Sequence, residues 1–321
     1  MKKLLWAGPA GWLLLTLLTF PAECAATARS GLLFFVNTLF SALFPFAVCA
    51  NLLTALGAGR KLGRWLGPVM EAGGLPPEAG LALGLGLLCG YPTGSRTLAA
   101  QVQAGELTPC EAARLLPLCQ SPNPAFVLGT VANSLLGIPA AGPYLLLCLW
   151  LGGLCTAGFL RLFGFRAAPG PVRPVRRQAP APRVAPATAL SRAVTDAAGA
   201  MLLIAGLTIV FGLLLRSFSL WGLDRFLPPL GRGLAAALFE LSQGAVTLAG
   251  CDVSLRLKLA LLATGIGWGG LCIHAQSAGL LAGSGVSFRY YWPGRLLAAL
   301  SAGLLAGGLY PLFCLVQGGG K

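Results

Sequence analysis

GYPTGSRT, residues 90 to 97, interrupts an apolar segment in which residues 79 to 89 carry no charged side chain. The stretch places two glycines, a proline, four hydroxyl side chains and an arginine where a membrane helix would continue. The apolar halves on either side, within residues 79 to 105, are each about 11 residues long. At 1.5 Å per residue, neither half can cross about 30 Å of hydrocarbon. We therefore predict a re-entrant helical hairpin whose tip is this stretch.

The overall composition is that of a membrane protein. Of 321 residues, 56% are hydrophobic and only 10% are charged, whereas a soluble domain carries about 25% charged residues. Residues 31 to 56 and 193 to 215 are typical of helical spans, and residues 296 to 317 form a final uncharged span. The predicted fold class is therefore an all-α polytopic membrane protein embedded in a lipid bilayer.

Half of the net charge of +14 belongs to one loop. Seven arginines and no acid lie between Arg161 and Arg192, among six prolines. Residues 164 to 192 are therefore predicted to form a basic, proline-rich loop on the cytoplasmic side. Without an apolar period this segment cannot bury a core, which predicts poor order. No aromatic stacking platform accompanies the arginines, so we expect no nucleic-acid binding.

Four regions follow from these segments. Residues 1 to 30 hold an N-terminal apolar span in which Lys2, Lys3 and small residues near position 27 also resemble a signal peptide. Residues 31 to 163 hold a first repeat and a linking span, residues 164 to 192 the basic loop, and residues 193 to 321 a second repeat. Cleavage of the first span stays open here, as does whether residues 232 to 250 cross the membrane.

The second repeat is predicted from an alignment of residues 81 to 101 with residues 260 to 280, at a constant offset of 179 positions. The aligned pairs are Gly90 with Gly269, Ser95 with His274, and Thr97 with Gln276. The alignment predicts a second re-entrant hairpin over residues 256 to 285, whose tip meets the first near the midplane. A further helix is broken by SPNPAF, residues 121 to 126. Counting the crossings gives the two repeats opposite orientations.

Inverted repeats with apolar segments broken by glycine or proline are typical of secondary transporters, which bind substrate near the midplane. Irregular backbone survives at that depth only inside protein or beside a water-filled cavity. The half-helix N-termini at the breaks carry positive partial charge and favour an anionic substrate. Arg96 would supply the cation that pairs with a substrate carboxylate, since an arginine in lipid costs at least ~2.5 kcal/mol. Pairing of Arg96 with Glu71 or Glu106 is the alternative.

The candidate substrate-binding residues are the polar and glycine positions at the predicted breaks. They are Gly90, Tyr91, Thr93, Gly94, Ser95, Arg96, Thr97, Gln120, Ser121, Asn123, Gly269, Gly270, His274 and Gln276. Two structural alternatives stay open. Ser121 and Asn123 would hydrogen-bond to the backbone of a proline-kinked helix, and His274 would be a structural residue whose hydrogen bonds are made by its neighbours. Glu240 is a candidate charge or ion-coupling site, or else a partner of Arg256.

The single histidine and the ten scattered cysteines do not form a catalytic or metal-ligating set, and no CxxC occurs. Free cysteines within apolar runs behave as small hydrophobic residues. We therefore expect no enzyme activity, no metal and no cofactor, with coupling to H⁺ or Na⁺ left open.

Five motifs follow one another along the chain: LFPFAVCANLL (43 to 53), GYPTGS (90 to 95), LTPCEAARLLPLCQSPNPAFVLGTV (107 to 131), FELSQGA (239 to 245), and GGLCIHAQSAGLL followed by SFRYYWPGRLL (269 to 297). In this order they resemble the YlbJ family of sporulation integral membrane proteins over essentially the whole chain. That family is similar to the concentrative nucleoside transporters and to the nucleoside-recognition gate domains.

The resemblance implies a location in the outer forespore membrane of a spore-forming bacterium. It also implies movement of dipicolinic acid, a small planar dianion, from the mother cell towards the spore. Family members often carry lysine where this chain has Arg96, so the charge is kept. A nucleoside or other metabolite as substrate ranks second, because ribose recognition would favour carboxylates and few acids face the predicted site. A non-transporting membrane protein, in a homo-oligomer or with other sporulation proteins, also stays open.

Overall fold

The computed structural model describes residues 4–56, 59–162 and 185–318, and every regular element in these ranges is helical. The helices are α1 Leu4–Thr19, α2 Pro21–Phe34, α3 Ser41–Ala55, α4 Gly59–Ala72, α5 Ala79–Cys89, α6 Tyr91–Gln103, α7 Pro109–Leu115, α8 Ala141–Leu162, α9 Pro186–Leu220, α10 Pro229–Phe239, α11 Leu241–Ala249, α12 Leu255–Trp268, α13 Gly270–Leu280, α14 Tyr291–Gly308 and α15 Tyr310–Gly318. Two π-helical segments are π1 Phe35–Phe40 and π2 Phe126–Leu135.

Several of these helices suit a bilayer. Ala141–Leu162, Pro186–Leu220 and Leu255–Leu280 are long and apolar enough to cross a membrane, and two further bent pairs of helices meet the same condition together. The predicted all-α polytopic membrane class is thereby confirmed.

Helices α5 and α6 form a re-entrant pair, hairpin 1, in agreement with the prediction from the glycine–proline stretch. The chain turns at Gly90, whose φ of 94° lies in the region that favours glycine. The open end of the pair is closed by Gln101, whose Nε2 donates to the Glu78 carbonyl oxygen at 2.7 Å. The start of α5 and the end of α6 therefore lie side by side.

A second re-entrant pair, hairpin 2, is formed by α10 and α11, in the segment that sequence analysis left unassigned. The chain turns at Glu240, an extended residue with φ −142° and ψ 121°. A Cβ built on Gly244 would lie 2.2 Å from Ala237 Cα, and one built on Gly233 would lie 2.8 Å from Leu248 Cδ2. These close approaches pair the two helices in antiparallel register.

The prediction of a hairpin over residues 256 to 285 is wrong. Helices α12 and α13 form one apolar segment of 26 residues that is interrupted at Gly269 but does not fold back. Positive φ angles at Gly269 and Gly270 break the helix without reversing it. Helix α12 runs antiparallel to α14, against which a Cβ on Gly267 would lie 2.9 Å from Ala299 Cα. This packing holds the segment straight across the molecule.

The alignment at an offset of 179 therefore paired a hairpin with a broken span. The two hairpin tips, Gly90 and Glu240, lie 150 positions apart (240 minus 90). At that spacing Gly269 falls on Cys119, next to the irregular segment between α7 and π2. Each repeat thus contains a hairpin followed by a broken helix, in the same order.

The two hairpins enter the membrane from opposite faces. Helix α3 ends beside the start of α9, where Asn51 Nδ2 donates to the Ala193 carbonyl oxygen at 3.1 Å. Hairpin 1 therefore begins on the face at which α9 starts. Helix α9 has 35 residues, about 52 Å at 1.5 Å each, and carries the chain to the other face before hairpin 2 begins at Pro229. The hairpins are inverted relative to each other.

The predicted basic loop is only partly described by the structure. Residues 163 to 184, most of the basic loop, lie outside the described residues, as do Lys2 and Lys3. The cytoplasmic placement and poor order of that loop therefore stay predictions.

Helix α1 packs on the end of α9, where Trp12 Nε1 donates to Ser217 Oγ at 2.7 Å.

Candidate functional site

The two hairpin tips and the two broken helices meet at one cavity of about 60 Å³, here called the central pocket. That volume holds a few water molecules. It is lined by Leu39, Leu43, Cys89, Gly90, Tyr91, Asn123, Phe126, Ile204, Thr208, Glu240, Leu241, Ser242, Ile273 and Gln276. The tips and breaks supply most of the polar groups, while π1, α3 and α9 supply an apolar wall. Five of the predicted residues line the pocket: Gly90, Tyr91, Asn123, Glu240 and Gln276.

Each hairpin tip packs against the break of the helix that follows it. A Cβ on Gly90, at tip 1, would lie 3.0 Å from the backbone nitrogen of Asn123 in the first break. A Cβ on Gly270, in the second break, would lie 3.0 Å from the backbone nitrogen of Leu241 at tip 2. Glycine permits the close approach at both places, and the two halves of the site are built in the same way.

Asn123 ties the first break to tip 1. Its Nδ2 donates to the Cys89 carbonyl oxygen at 3.1 Å, and its Oδ1 accepts from the Ala125 backbone nitrogen at 2.7 Å. Asn123 is 3% exposed. The side chain therefore satisfies the broken backbone, as the structural alternative proposed, and also presents a polar surface to the central pocket.

Among the described residues that line the central pocket, Glu240 is the only one with a carboxyl group or a basic side chain. The side chain is 3% exposed and caps α11, accepting from the Gln243 backbone nitrogen at 2.7 Å. The suggested partner Arg256 instead donates from Nε to the Gly307 carbonyl oxygen at 2.7 Å. Across the described ranges the one recorded ion pair involves other residues, so no cation of that part of the chain neutralises Glu240.

Arg295 lies behind the central pocket and was missed by sequence analysis. It is 3% exposed and donates to two carbonyl oxygens, those of Gln120 near the first break and Gly267 near the second. Its guanidinium also lies 5.6 Å from the ring centroid of Tyr91, whose hydroxyl donates to the Ile266 carbonyl oxygen at 2.5 Å. The signal was an arginine inside an apolar helix, one residue before the span assigned to residues 296 to 317.

Three of the buried polar side chains form a chain of hydrogen bonds beside the pocket. Gln120 Nε2 donates to Ser95 Oγ, and Gln120 Oε1 accepts from Ser277 Oγ at 3.2 Å. These residues join hairpin 1, the first break and α13. The predicted residues Ser95 and Gln120 therefore hold the elements together and do not line the central pocket.

Arg96 does not lie at the hairpin tip, and the prediction that placed it there is wrong. It is six residues beyond Gly90 along α6, about 9 Å at 1.5 Å per residue. Its Nη2 lies 3.3 Å from Asp196 Oδ2, and its Nη1 donates to the Asp196 carbonyl oxygen at 2.9 Å. The two side chains are 36% and 56% exposed. Asp196 therefore takes the place that Glu71 or Glu106 would have filled.

The other predicted residues lie around the central pocket but not on it. Thr97 donates to the Thr93 carbonyl oxygen within α6 at 2.8 Å. Ser121 lines a second, larger cavity. His274 is 3% exposed among the rings of Trp268, Tyr291 and Trp292. The outlying residues are Thr93, Gly94, Ser95, Arg96, Thr97, Gln120, Ser121, Gly269, Gly270 and His274.

The described side chains show how His274 is held. Its Nδ1 lies 2.7 Å from the Tyr291 hydroxyl, while no hydrogen-bond partner of Nε2 occurs in the described ranges. The ring belongs to an aromatic cluster at the start of α14, and within the described residues its neighbours satisfy one of its two nitrogens.

Comparison with known proteins gives one informative relative. The chain is 27% identical over 316 aligned residues to "Sporulation integral membrane protein YlbJ" of Bacillus subtilis (strain 168), covering 87% of this chain and 76% of the relative. No family model matches the chain, and no solved structure matches it. The similarity spans both hairpins and both broken helices. With the apolar helices described above, it supports the resemblance to the YlbJ family and identifies the chain as a multi-pass membrane protein of a sporulating bacterium.

Proposed function

We propose that this chain is a membrane transporter, and not an enzyme, which moves a small polar metabolite through the central pocket. The observation that carries the proposal is the meeting of two oppositely oriented hairpin tips with two helix breaks at one buried polar cavity. Broken helices leave backbone groups without their usual hydrogen bonds at membrane depth, which costs free energy. A purely structural membrane protein would gain nothing from such breaks. In secondary transporters such breaks supply ligand groups near the midplane.

The substrate we propose is dipicolinic acid, as the family resemblance implies, carried across the outer forespore membrane towards the spore. Helices α6 and α11 both begin at the central pocket, and the positive ends of their dipoles favour a carboxylate. A planar dicarboxylate is larger than the present cavity of about 60 Å³. Transport therefore requires a hairpin tip to move aside, as in other lid-type transitions.

A nucleoside is the second candidate, and the position of Glu240 favours it. Sequence analysis ranked it lower because few acids were expected at the site, yet Glu240 lines the pocket together with Asn123 and Gln276. Carboxylate and amide groups suit the hydroxyl groups and base edges of a neutral solute.

The proposal is tested by uptake into proteoliposomes that contain the purified full-length chain. We expect saturable uptake of labelled dipicolinate, with liposomes free of protein as the control. Saturable uptake of uridine without dipicolinate uptake would select the second candidate. Uptake of neither solute would support a non-transporting membrane protein.

Glu240→Gln separates the two substrates. Gln keeps an oxygen that can cap α11 but removes the one carboxyl group among the described residues that line the pocket. Two like charges about 8 Å apart repel by roughly 2 kcal/mol at an effective dielectric constant of 20. We therefore expect the apparent KM for dipicolinate to fall about tenfold or more in this variant. A rise in KM would contradict a dianionic substrate in the central pocket.

Arg96→Ala should have little effect, because the ion pair with Asp196 is partly exposed and lies away from the pocket. Such pairs contribute about 0–1 kcal/mol, so uptake should stay within about twofold of the parent. Immunoblotting of the membrane fraction controls for abundance. Lost uptake at normal abundance would return Arg96 to the binding site.

A further inference from the structure

A second cavity of about 420 Å³ lies between α8 and the helices α4, α5 and α14, and we call it the basic cavity. Its size falls within the range of roughly 300–1,000 Å³ found for small-molecule sites. Among the described residues that line it, the charged ones are Arg114, Arg161 and Arg295, and none is acidic. The remaining wall is mostly apolar and includes Trp150 and Tyr290.

The positive charge of this wall is not cancelled by the groups that hold the arginines. Arg114 donates to the carbonyl oxygens of Gly73 and Gly74, both at 3.0 Å. Arg295 likewise donates to carbonyl oxygens, which are neutral. Over the described ranges, the one recorded ion pair lies elsewhere. A cleft of one charge sign with low-dielectric walls concentrates ions of the opposite sign.

The register of α8 against α14 places these charges along the depth of the cavity. Thr156 Oγ1 donates to the Gly294 carbonyl oxygen at 3.4 Å, so Arg295 is level with the middle of the cavity wall. Arg161 lies five residues further along α8, about 7.5 Å towards its end. The basic cavity therefore leads inward from the face on which the basic loop begins, which the charge predicts to be cytoplasmic.

A single layer of side chains separates the basic cavity from the central pocket. Residues 120 to 122 line the basic cavity, whereas Asn123 lines the pocket. Arg295 belongs to the cavity wall and Tyr91 to the pocket wall, and the guanidinium lies 5.6 Å from the tyrosine ring centroid. A solute in the basic cavity would face the break from the side opposite the pocket.

We propose that the basic cavity is a binding site for a small organic anion with an apolar body, such as an aromatic dicarboxylate. The carboxylates would lie against the arginines and the ring against the apolar wall. Its role as an entry vestibule for substrate rests on the proposed transport function, whereas anion binding does not.

The experiment is equilibrium binding of dipicolinate, and of isophthalate, to the purified full-length chain by calorimetry. Arg161→Gln removes one cation at the outer end of the cavity, and Arg192→Gln is the matched control, an exposed arginine on α9 outside it. We expect Arg161→Gln to weaken binding about fivefold, the equivalent of one partly exposed charge pair. The double variant Arg114→Gln, Arg161→Gln should lower the binding affinity roughly 25-fold if the effects of the two substitutions on the binding free energy add. The control should stay within about twofold.

Four outcomes would contradict the site. Equal binding in parent and arginine variants, or equal binding of the neutral pyridine-2,6-dicarboxamide, would overturn it. Loss of binding in Asn123→Ala but not in the arginine variants would assign the anion to the central pocket. Copurifying phosphatidylglycerol that dicarboxylates do not displace would make the cavity a lipid site. Binding with the expected losses but no uptake would leave this site standing and overturn transport; uptake with unchanged binding would do the reverse.

Discussion

Gly86→Ala is expected to prevent hairpin 1 from docking against the first broken helix and to abolish uptake. A Cβ at this position would lie 2.2 Å from the Cys119 carbonyl oxygen and 2.8 Å from Cys119 Cβ. A Cβ on Gly94, in the opposite arm, would lie 2.3 Å from the same oxygen, so both arms of the hairpin pack around Cys119. Overpacking of this kind costs about 1–3 kcal/mol, and more where backbone must move. The measurement is thermal unfolding of the purified chain in detergent, together with uptake.

Gly199→Ala is the matched control for this substitution. Gly199 lies within α9, where a Cβ would meet no atom within 4 Å. Alanine in a helix interior is favoured over glycine by about 0.5–1 kcal/mol, so the control should unfold at the same or a higher temperature. If Gly86→Ala behaves like Gly199→Ala, the close docking of hairpin 1 is contradicted.

The membrane class and hairpin 1 could be predicted because both depend on local chemistry. The low fraction of charged residues indicates that the chain is surrounded by lipid. Two short apolar halves around a glycine–proline stretch cannot each span a bilayer. Hairpin 2 could not be found in the same way, because its tip FELSQ, residues 239 to 243, contains neither glycine nor proline. Glu240 turns the chain in extended backbone, and its carboxylate caps the next helix.

The wrongly predicted hairpin over residues 256 to 285 arose because glycines were present where the chain does not turn back. Gly269 and Gly270 resemble a tip in the sequence, yet there the positive φ angles interrupt a helix that continues along the same path. Whether a break reverses the chain depends on what the next helix packs against, which a single sequence does not show. The intramembrane acid Glu240 was the more informative signal, because charged groups at membrane depth mark functional sites.

In the candidate site, too, residues next to a break could be predicted from the sequence, whereas residues brought there by the packing of distant helices could not. Residues at the breaks were correctly expected to meet, since Gly90, Asn123 and Gln276 all line the central pocket. Arg96 was assigned to the tip because it is near Gly90 in the sequence, but it lies six positions further along α6. Arg295 lies far from every break in the chain and reaches two of them in space, through α14.

Arg295→Met is expected to destabilise the protein by about 3–6 kcal/mol and to lower uptake at least tenfold. The variant removes two hydrogen bonds from a charged donor, to the carbonyl oxygens of Gln120 and Gly267, each contributing about 1.5–3 kcal/mol. The opposing effect is relief of a buried charge, which alone would stabilise the variant. Because the guanidinium borders the basic cavity of about 420 Å³, water reduces that penalty, and we expect the lost hydrogen bonds to dominate.

Comparison of three substitutions identifies what Arg295 does. Arg295→Lys keeps the charge but not the planar fork that reaches two carbonyl groups at once, so it should recover only part of the stability. Arg192→Met removes an exposed arginine and should change the unfolding free energy by about 0.5 kcal/mol or less. Unfolding in detergent gives the stability, and proteoliposome uptake gives the function. A more stable Arg295→Met chain would show that the buried charge outweighs its hydrogen bonds, and that the two breaks hold their geometry without the arginine between them.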